Sequence, residues 1–546
     1  MYLQKLRATT ATMGSFSTSL LKVIADLRRR GFCPPSTRIE LRQWVQDSIT
    51  AVRSELTSAL REMRAERVKR WQAQIPRLWK DQPRALYRFL HGDSAAWGAT
   101  PIVDDAGQQC CTHAEVDTVV KAYWVDGVWR RLEHVDPSLS WAAFQASRFF
   151  HHIPHCTWPH ESWSLERVRS VLGGMREGSS PGVRGIPLSI WKALPDSFLQ
   201  RVADLLNLVE KESLWPDELL EAYVTMIPEA SGGSRPQDQR PITVLDVVYR
   251  LWAKGISQVW APVLQGSYLG PTVMGFRAQA STLHLAQLLT DCIAVQQRRN
   301  KALWLVKFDV AKCFPSLPWW ALFKVMEETG ISPKAIGCFR DLYARLRHRF
   351  RYGQVDGSEW QMTNGLAQGC PSSPDLLNIL FEPFHRWAGA QGVGVEILGE
   401  FVASTSYADD VDLLGTSQSE VELLVSGYQA WCTLLGIQLH LDKTELWCSE
   451  LSGGQKVVLN LESGPLELTT RATFKMVGIE LGSNEKIATA VHLEARLPNS
   501  LLAIQRLAGL ALRCGARPFS PKSSMGARSG TSPSPSLSPC GKVGRP

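Results

Sequence analysis

The stretch FVASTSYADDVDLLG, residues 401–415, sets two carboxylates side by side between two apolar runs. The flanking runs predict two short strands, and Asp409 and Asp410 fall where a hairpin would turn. Aspartate is common in turns, but a tight hairpin turn prefers Asn-Gly or Asp-Gly, and this turn has no glycine. Since adjacent carboxylates repel each other, we expect positive charge close to them.

A third carboxylate follows another predicted strand. In LWLVKFDVAKCFPSLP, residues 303–318, the segment from Leu303 to Phe308 delivers Asp309 at its end, and a helix is predicted to open near Ser316 and Pro318. Two strand ends that present carboxylates can meet on one sheet. Oxygen ligands without His or Cys select Mg²⁺ rather than zinc. Two such ions about 4 Å apart would stabilise the attacking and leaving oxygens of a phosphoryl transfer.

The segment NGLAQGCPSSP, residues 364–374, lies between these acids in the chain. Gly365 and Gly369 flank Gln368 in a predicted loop, and a helix is predicted from Ser372 or Ser373 with Pro374 in its first turn. Glycines allow close approach of a ligand, and a helix N-terminus favours phosphate. Alone this is an ordinary junction of loop and helix, but its order between the acids makes it more specific.

Together and in this order, these segments resemble the reverse transcriptases of non-LTR, long-interspersed-element-type retrotransposons, with group II intron enzymes as cousins. FDVAKCF resembles the first catalytic block of that family, NGLAQGCPSSP its template and nucleotide loop, and SYADDVDLLG its tyrosine-x-Asp-Asp block. GIQLHLDKTELW and FKMVGIELG resemble the blocks that follow. Upstream, SSPGVRGIPLSIWK and MGFRAQASTLHL resemble segments of its fingers. The resemblance covers about residues 166–485.

The resemblance implies an α/β (α+β) fold of the right-hand polymerase type, with fingers, a palm and a truncated thumb. The expected divisions are a basic helical N-terminal extension (1–90), an irregular connector (91–165), fingers (166–300), a palm with the catalytic motifs (301–485), a partial thumb (486–513) and a disordered tail (514–546). From residue 51 to residue 90 the extension carries ten basic and four acidic residues, which suits either a phosphate-tracking arm or a solvated helix face.

For the chemistry, the resemblance implies a metal-binding triad of Asp309, Asp409 and Asp410, with the carbonyl of Val310 completing the shell of one metal. It implies two Mg²⁺ ions, with Mn²⁺ as a substitute. The expected partners are an RNA template, a DNA primer and dNTPs, with no membrane. The implied reaction is RNA-directed DNA polymerisation, in which a primer 3′-hydroxyl attacks the α-phosphorus of a bound deoxynucleoside triphosphate.

Further residues are implied to contact the nucleotide or the template: Arg240, Arg277, Phe314, Gln368 and Gly369. The ring of Phe314 would exclude a ribose 2′-hydroxyl, as a steric gate. Arginine suits phosphate because its planar fork pairs bidentately with it. Lys443 would donate a proton to departing pyrophosphate if it faces the cleft, and it would otherwise be a surface lysine.

Departures from the family pattern leave alternatives open. Arg184 stands where the family usually has Asp, and Pro315 replaces the usual acid after the gate aromatic. The composition beyond about residue 513 turns to Ser and Pro, which suggests a truncated thumb and a decayed element. The alternatives are therefore a catalytically impaired remnant or a maturase-like RNA-binding protein that keeps the polymerase fold. An RNA-dependent RNA polymerase or a telomerase-like enzyme is disfavoured.

The overall composition agrees with a globular protein that binds phosphate-rich partners. Of 546 residues, 44% are hydrophobic and 21% charged, and the formal net charge is +8. Twelve irregularly spaced cysteines suggest reduced thiols, and neither a secretory signal nor a membrane-spanning run is recognised, so we expect an intracellular protein of nucleus or cytoplasm. The run FFHHIPHCTWPH, residues 149–160, is more typical of a linker than of a zinc site.

Overall fold

The computed structural model describes residues 102–482, except residues 105, 230–232, 354 and 477–478. These residues belong to one unit of the chain, Trp97–Leu497. The N-terminal extension predicted over 1–90, the partial thumb over 486–513 and the tail over 514–546 lie outside the described residues, so those predictions stay predictions.

Helices and strands alternate along the described chain. The α-helices are α1 (His113–Lys121), α2 (Pro137–Gln145), α3 (Leu165–Gly173), α4 (Leu188–Lys192), α5 (Asp196–Glu212), α6 (Val247–Val263), α7 (Thr282–Arg299), α8 (Cys313–Ser316), α9 (Trp319–Glu328), α10 (Pro333–Arg345), α11 (Ser373–Ala390) and α12 (Gln418–Leu435). The strands are β1 (Glu221–Pro228), β2 (Gln239–Val244), β3 (Trp304–Phe308), β4 (Arg347–Tyr352), β5 (Val355–Asp356), β6 (Val395–Ile397), β7 (Glu400–Val402), β8 (Ser404–Tyr407), β9 (Asp410–Gly415), β10 (Glu445–Cys448), β11 (Lys456–Leu461), β12 (Gly464–Arg471), β13 (Phe474–Met476) and β14 (Ile479–Leu481). Within the described part, no helix is long and apolar enough to cross a membrane.

A six-stranded sheet with the order β11-β12-β10-β3-β9-β8 carries the predicted carboxylates. Strand β9 pairs antiparallel with both neighbours, so that Val411 lies opposite Phe308 and Asp410 opposite Tyr407. This register places the end of β3, where Asp309 follows, beside the β8–β9 turn. The predicted strands before Asp309 and around the Asp pair are confirmed, as is the helix that begins at Ser373.

Helices cover both faces of this sheet because neighbouring residues of a strand point to opposite sides. Val306 of β3 is buried in the larger core with α11 and α12, together with Tyr428 and Trp431 of α12. Leu305 points the other way, into a smaller core that includes Leu289 of α7. The mixed helix and sheet architecture agrees with the predicted right-hand polymerase fold.

A second sheet, of order β2-β1-β4-β5, joins two strands from the segment predicted as fingers, β1 and β2, to two from the segment predicted as palm, β4 and β5. Strand β1 pairs antiparallel with β2 and parallel with β4. Val224 and Phe350 of this sheet are buried against Trp124, Trp129 and Trp360 in a third core. Strand β2 therefore rests on a packed support where it approaches the active-site loops.

The connector predicted as irregular over 91–165 differs from that prediction in its described part. It contains α1, a π-helical turn at Ala122–Trp129, α2 and a 3₁₀ turn at Phe150–His152. Helix α1 begins with a capping box of Thr112 and Glu115, and α2 begins at Pro137, directly after its N-cap Asp136. These start signals are visible in the sequence, but the buried tryptophans of the π-helical turn fix the segment through tertiary packing.

Candidate active site

The catalytic hairpin consists of β8, β9 and the turn between them. In this turn an alanine occupies the left-handed position where glycine is usual. Ala408 adopts a left-handed backbone with φ of 62°. That conformation is uncommon for a residue with a side chain, and such residues cluster at functional sites. Asp409 follows it in the turn, and Asp410 begins β9. The hairpin thus presents the two aspartates in different surroundings.

Asp409 lies in a partly buried position. Burial raises the pKa of its carboxyl, and the neighbouring carboxylates of Asp410 and Asp309 raise it further, whereas a main-chain hydrogen bond and Arg240 lower it. Since the like charges of these carboxylates repel one another, a cation placed beside Asp409 would be stabilised.

Two lysines lie beside the three carboxylates, and one of them, Lys307, supplies the positive charge expected near the Asp pair. Lys443 Nζ lies 2.9 Å from Asp309 Oδ2. Lys307 Nζ, from β3, lies 3.3 Å from Asp410 Oδ1. Sequence reasoning missed Lys307, although its place in β3 just before Asp309 was a usable signal, because the cross-strand partner depends on register. The buried carboxyl of Asp412, opposite Lys307 in that register, has its pKa raised by burial to about 7.

A single cavity of about 470 Å³ brings most of the predicted site residues together. Its lining includes Arg240, Asp309, Val310, Phe314, Gln368, Gly369, Asp409 and Lys443. These residues come from β2, from the segments after β3 and before α11, from the catalytic hairpin and from the turn before β10. The order of motifs in the sequence therefore corresponds to a meeting of distant segments in space.

The loop at Gln368 is fastened to β2. The amide of Thr243 donates to the Gln368 carbonyl at 2.7 Å. Gly369 has φ of 121°, and a Cβ there would lie 2.5 Å from the Thr243 carbonyl oxygen, so a side chain has no room. Phe314 lies across the cavity with its ring edge-on to that of Phe276, the ring centroids being 6.1 Å apart.

Arg277 does not line this cavity. Its Nη1 donates to the carbonyl of Gly270 at 2.8 Å and its Nη2 to that of Gln265 at 2.6 Å. The guanidinium therefore holds the main chain of its own loop, whereas the sequence predicts that it contacts the triphosphate or the template. Residue types do not indicate this arrangement, because every residue has a main-chain carbonyl that can accept a hydrogen bond.

The donor set fits a hard divalent cation. Asp309 and Asp409 offer carboxylate oxygens to the same cavity, whose lining also includes His440, Cys313 and Cys370. Val310 forms an antiparallel bridge with Leu439 whose hydrogen bonds use the Asp309 carbonyl and the Ala311 amide. The Val310 carbonyl is not used by that bridge. Within the described ranges, no three His, Cys, Asp or Glu side chains are grouped to hold an ion, and Asp410 pairs with Lys307 instead.

A larger cavity of about 1280 Å³ adjoins the first and shares Arg240, Lys312 and Lys443 with it. Lys312, in a left-handed conformation, donates from Nζ to the Gln237 carbonyl at 2.6 Å and lies 5.2 Å from the centre of the Trp124 ring. Trp124 belongs to the connector. The connector thus forms a wall of the space in front of the carboxylates, which sequence reasoning did not foresee.

The His-rich run of the connector packs instead of grouping around an ion. His160 Nε2 lies 3.0 Å from Glu210 Oε2. Glu210 also accepts the indole N–H groups of Trp163 and Trp252, at 2.9 and 2.8 Å. This buried carboxylate therefore fastens the end of the connector to α5 and α6.

Comparisons with known proteins agree with this geometry. Residues 227–481 match the family model described as "Reverse transcriptase (RNA-dependent DNA polymerase)". The chain is 23% identical over 292 residues to the "Retrovirus-related Pol polyprotein from type-2 retrotransposable element R2DM" of Drosophila melanogaster, covering 51% of this chain and 26% of that protein. It is 24% identical over 326 residues to the "Retrovirus-related Pol polyprotein from type-1 retrotransposable element R2" of Popillia japonica, covering 57% and 44%.

One solved structure is a weaker match. The apo telomerase of Candida tropicalis, truncated from its C-terminal domain, aligns with a TM-score of 0.35 at 15% identity, over 54% of this chain and 59% of that chain. A likeness of this size has no bearing on the site. The chain spans less than half the length of the curated relatives named above.

Proposed function

Since residues 227–481 match the reverse transcriptase family model and the similar relatives are Pol polyproteins of R2 retrotransposable elements, we propose that the chain is an RNA-directed DNA polymerase of the non-LTR retrotransposon type that extends a primer 3′-hydroxyl with dNTPs. The observation that supports this most directly is one cavity lined by Asp309, Asp409, Arg240 and Phe314. It combines carboxylates for metal ions, a cation for phosphate and an aromatic ring beside the sugar position. RNA as the template and DNA as the primer complete the proposed substrate set.

Reverse transcriptases use divalent metal ions, and we propose two Mg²⁺ ions here, with Mn²⁺ as a substitute. Asp309, Asp409 and Asp410 would hold them together with the carbonyl of Val310. When bound, such ions activate the attacking hydroxyl and neutralise charge on the triphosphate. Burial is the main cause of the raised pKa of Asp409, but the further contribution of the Asp410 and Asp309 carboxylates supports this assignment, since their like charges favour a cation beside them.

The side chains around the carboxylates orient the substrate and move one proton. Arg240 pairs with phosphate oxygens, and the Phe314 ring occupies the space that a ribose 2′-hydroxyl would need. Gln368 and Gly369 line the new base pair. The primer 3′-hydroxyl loses its proton to solvent water as a bond forms between the 3′-oxygen and the α-phosphorus, while the bond from that phosphorus to the bridging oxygen breaks. Pyrophosphate leaves with a proton from Lys443, which is 63% exposed and beside Asp309.

Primer extension on an RNA template with purified chain, Mg²⁺ and dNTPs tests this function. We expect the wild-type chain to extend the primer and Asp409→Asn to lose at least about a thousandfold in rate, since a carboxylate on the metal is removed. The matched control is Asp291→Asn on the exposed side of α7, whose carboxylate accepts from Gln287 and does not line the cavity. Wild-type chain that binds RNA without extending a primer would instead identify a non-catalytic RNA-binding protein.

A further inference from the structure

Asn364 lies where three segments of the chain meet. Its side chain is fully buried. Nδ2 donates to the carbonyls of Val128 and Pro315, both at 2.9 Å, and Oδ1 accepts from the amide of Leu132 at 3.2 Å. Each polar atom of the amide group is therefore used, as buried polar groups require. No other natural side chain of the same size has two donors and an acceptor in this arrangement.

One of these partners belongs to the turn that carries the gate residue. Pro315 directly follows Phe314, and the amide of Leu366 donates to the Phe314 carbonyl at 2.7 Å. The amide of Gly365 donates to the Leu317 carbonyl at 2.7 Å. A Cβ on Gly365 would lie 2.3 Å from the Pro315 carbonyl oxygen, so the two segments are in close contact. These contacts hold the backbone from 314 to 317 against the segment that contains Asn364.

The other partners belong to the connector, outside the region that matches the family model. The Trp129 carbonyl accepts from the amides of Thr363 and Asn364, at 3.0 and 3.1 Å. The Trp129 ring stacks on that of Trp360 with centroids 4.7 Å apart, inside a buried core. Asn364 therefore ties the gate turn to a segment that is itself fixed by packing.

We propose that Asn364 is a positioning residue for sugar discrimination, which sets how far the Phe314 ring reaches into the cavity. The inference rests on the proposed function, because it takes Phe314 as the gate. Aspartate has the shape of asparagine but cannot donate. In Asn364→Asp, the oxygen that replaces Nδ2 would face the carbonyls of Val128 and Pro315, so that an ionised carboxylate loses both hydrogen bonds and repels the turn, and a protonated one keeps at most one of the two.

The test is single-nucleotide incorporation by the full chain on a primed RNA template. The ratio of kcat/KM for a dNTP to that for the rNTP of the same base is measured for wild type, Phe314→Ala, Asn364→Asp and Thr363→Val. Thr363 is the matched control, since its Oγ1 donates to the Trp129 carbonyl at 3.2 Å, in a bond that does not involve the gate turn. We expect Asn364→Asp to lower the preference for dNTP at least about tenfold and Thr363→Val to leave it unchanged.

The outcomes separate this inference from the proposed function. If Phe314→Ala has lost discrimination, two results contradict the positioning role alone. In the first, Asn364→Asp keeps the wild-type preference for dNTP. In the second, Thr363→Val loses as much of that preference as Asn364→Asp does. A wild type that incorporates nothing, or a Phe314→Ala variant that discriminates normally, overturns the function or the gate and this inference with it. Circular dichroism checks folding, and if Asn364→Asp is unfolded, the smaller and uncharged Asn364→Ser takes its place in the same comparison.

Discussion

Arg184 shows how one residue's departure from a family pattern is compensated by its neighbours. Its Nε lies 3.4 Å from Asp246 Oδ2, and its Nη2 donates to the Glu218 carbonyl at 2.6 Å. Asp246 is buried at the start of α6 and accepts the Val248 amide at 2.8 Å. Burial raises the pKa of Asp246, while Arg184 and Arg250 lower it. A basic side chain therefore suits this position, where an acid would face a buried carboxylate.

His348 is a residue whose burial makes stability depend on pH. It is 1% exposed and stacks on Trp360 with ring centroids 4.7 Å apart. Burial lowers its pKa from 6.5 to about 3. In the unfolded chain the imidazole takes up a proton as pH falls below 6.5, but in the folded chain it stays neutral, so acid favours unfolding by up to about 1.4 kcal/mol for each pH unit.

We therefore expect His348→Phe, which keeps the stacked ring without the titrating group, to lose less stability in acid than the wild type. Relative to wild type, the variant should gain about 2 kcal/mol in free energy of unfolding between pH 7.5 and pH 5. Urea unfolding at the two pH values measures it. An equal loss in both proteins would show that His348 is already protonated, or exposed, in the folded state.

At the scale of elements, α11 and the loop that precedes α7 support the catalytic hairpin from behind. The amide of Met274 donates to the Ser406 carbonyl at 3.0 Å, and Asn378 Nδ2 donates to the Gly275 carbonyl at 3.0 Å. A Cβ on Gly275 would lie 2.1 Å from the amide nitrogen of Ala408. The loop therefore touches the turn that presents Asp409.

We expect Gly275→Ala to displace that turn and to lower the rate of primer extension about a hundredfold, because a shift near 1 Å at reacting groups has such a cost. The matched control is Gly389→Ala on α11, where an added Cβ meets nothing within 4 Å. Extension rates and thermal unfolding are measured for both. Wild-type activity in a folded Gly275→Ala chain would mean that the hairpin is positioned by other contacts.

The elements that could be predicted from sequence are those whose signals are local. Strand β3, the strands of the catalytic hairpin and the start of α11 follow from apolar runs, turn residues and a proline in the first helical turn. The meeting of Asp309 with Asp409 followed from motif order. Two other contacts could not be predicted from the sequence, because they depend on strand register and loop packing. They are the ion pair of Lys307 with Asp410 and the hydrogen bonds from Arg277 to main-chain carbonyls.

At the scale of the whole molecule, the connector is the part that sequence reasoning described least well. Its composition is mixed, and it contributes to the fold through tertiary packing. Trp124 and Trp129 are buried beside Phe350, and the Phe144 ring of α2 meets that of Trp431 edge-on at 5.6 Å. The connector thus contributes to the core beneath the four-stranded sheet and to the core beneath the six-stranded one.

A fragment of residues 166–497, which lacks the connector, is consequently expected not to fold in isolation, whereas a fragment of residues 97–497 should unfold cooperatively. Removing the connector uncovers the apolar surface against which Trp124 and Trp129 pack, and at about 25 cal/mol per Å² that burial is worth several kcal/mol, a large part of the stability of a typical domain. Thermal unfolding followed by circular dichroism and tryptophan fluorescence measures both fragments. Coincident, cooperative transitions in the shorter fragment would show that residues 166–497 carry a sufficient core of their own, and that the connector is an addition to the fold and not a component of it.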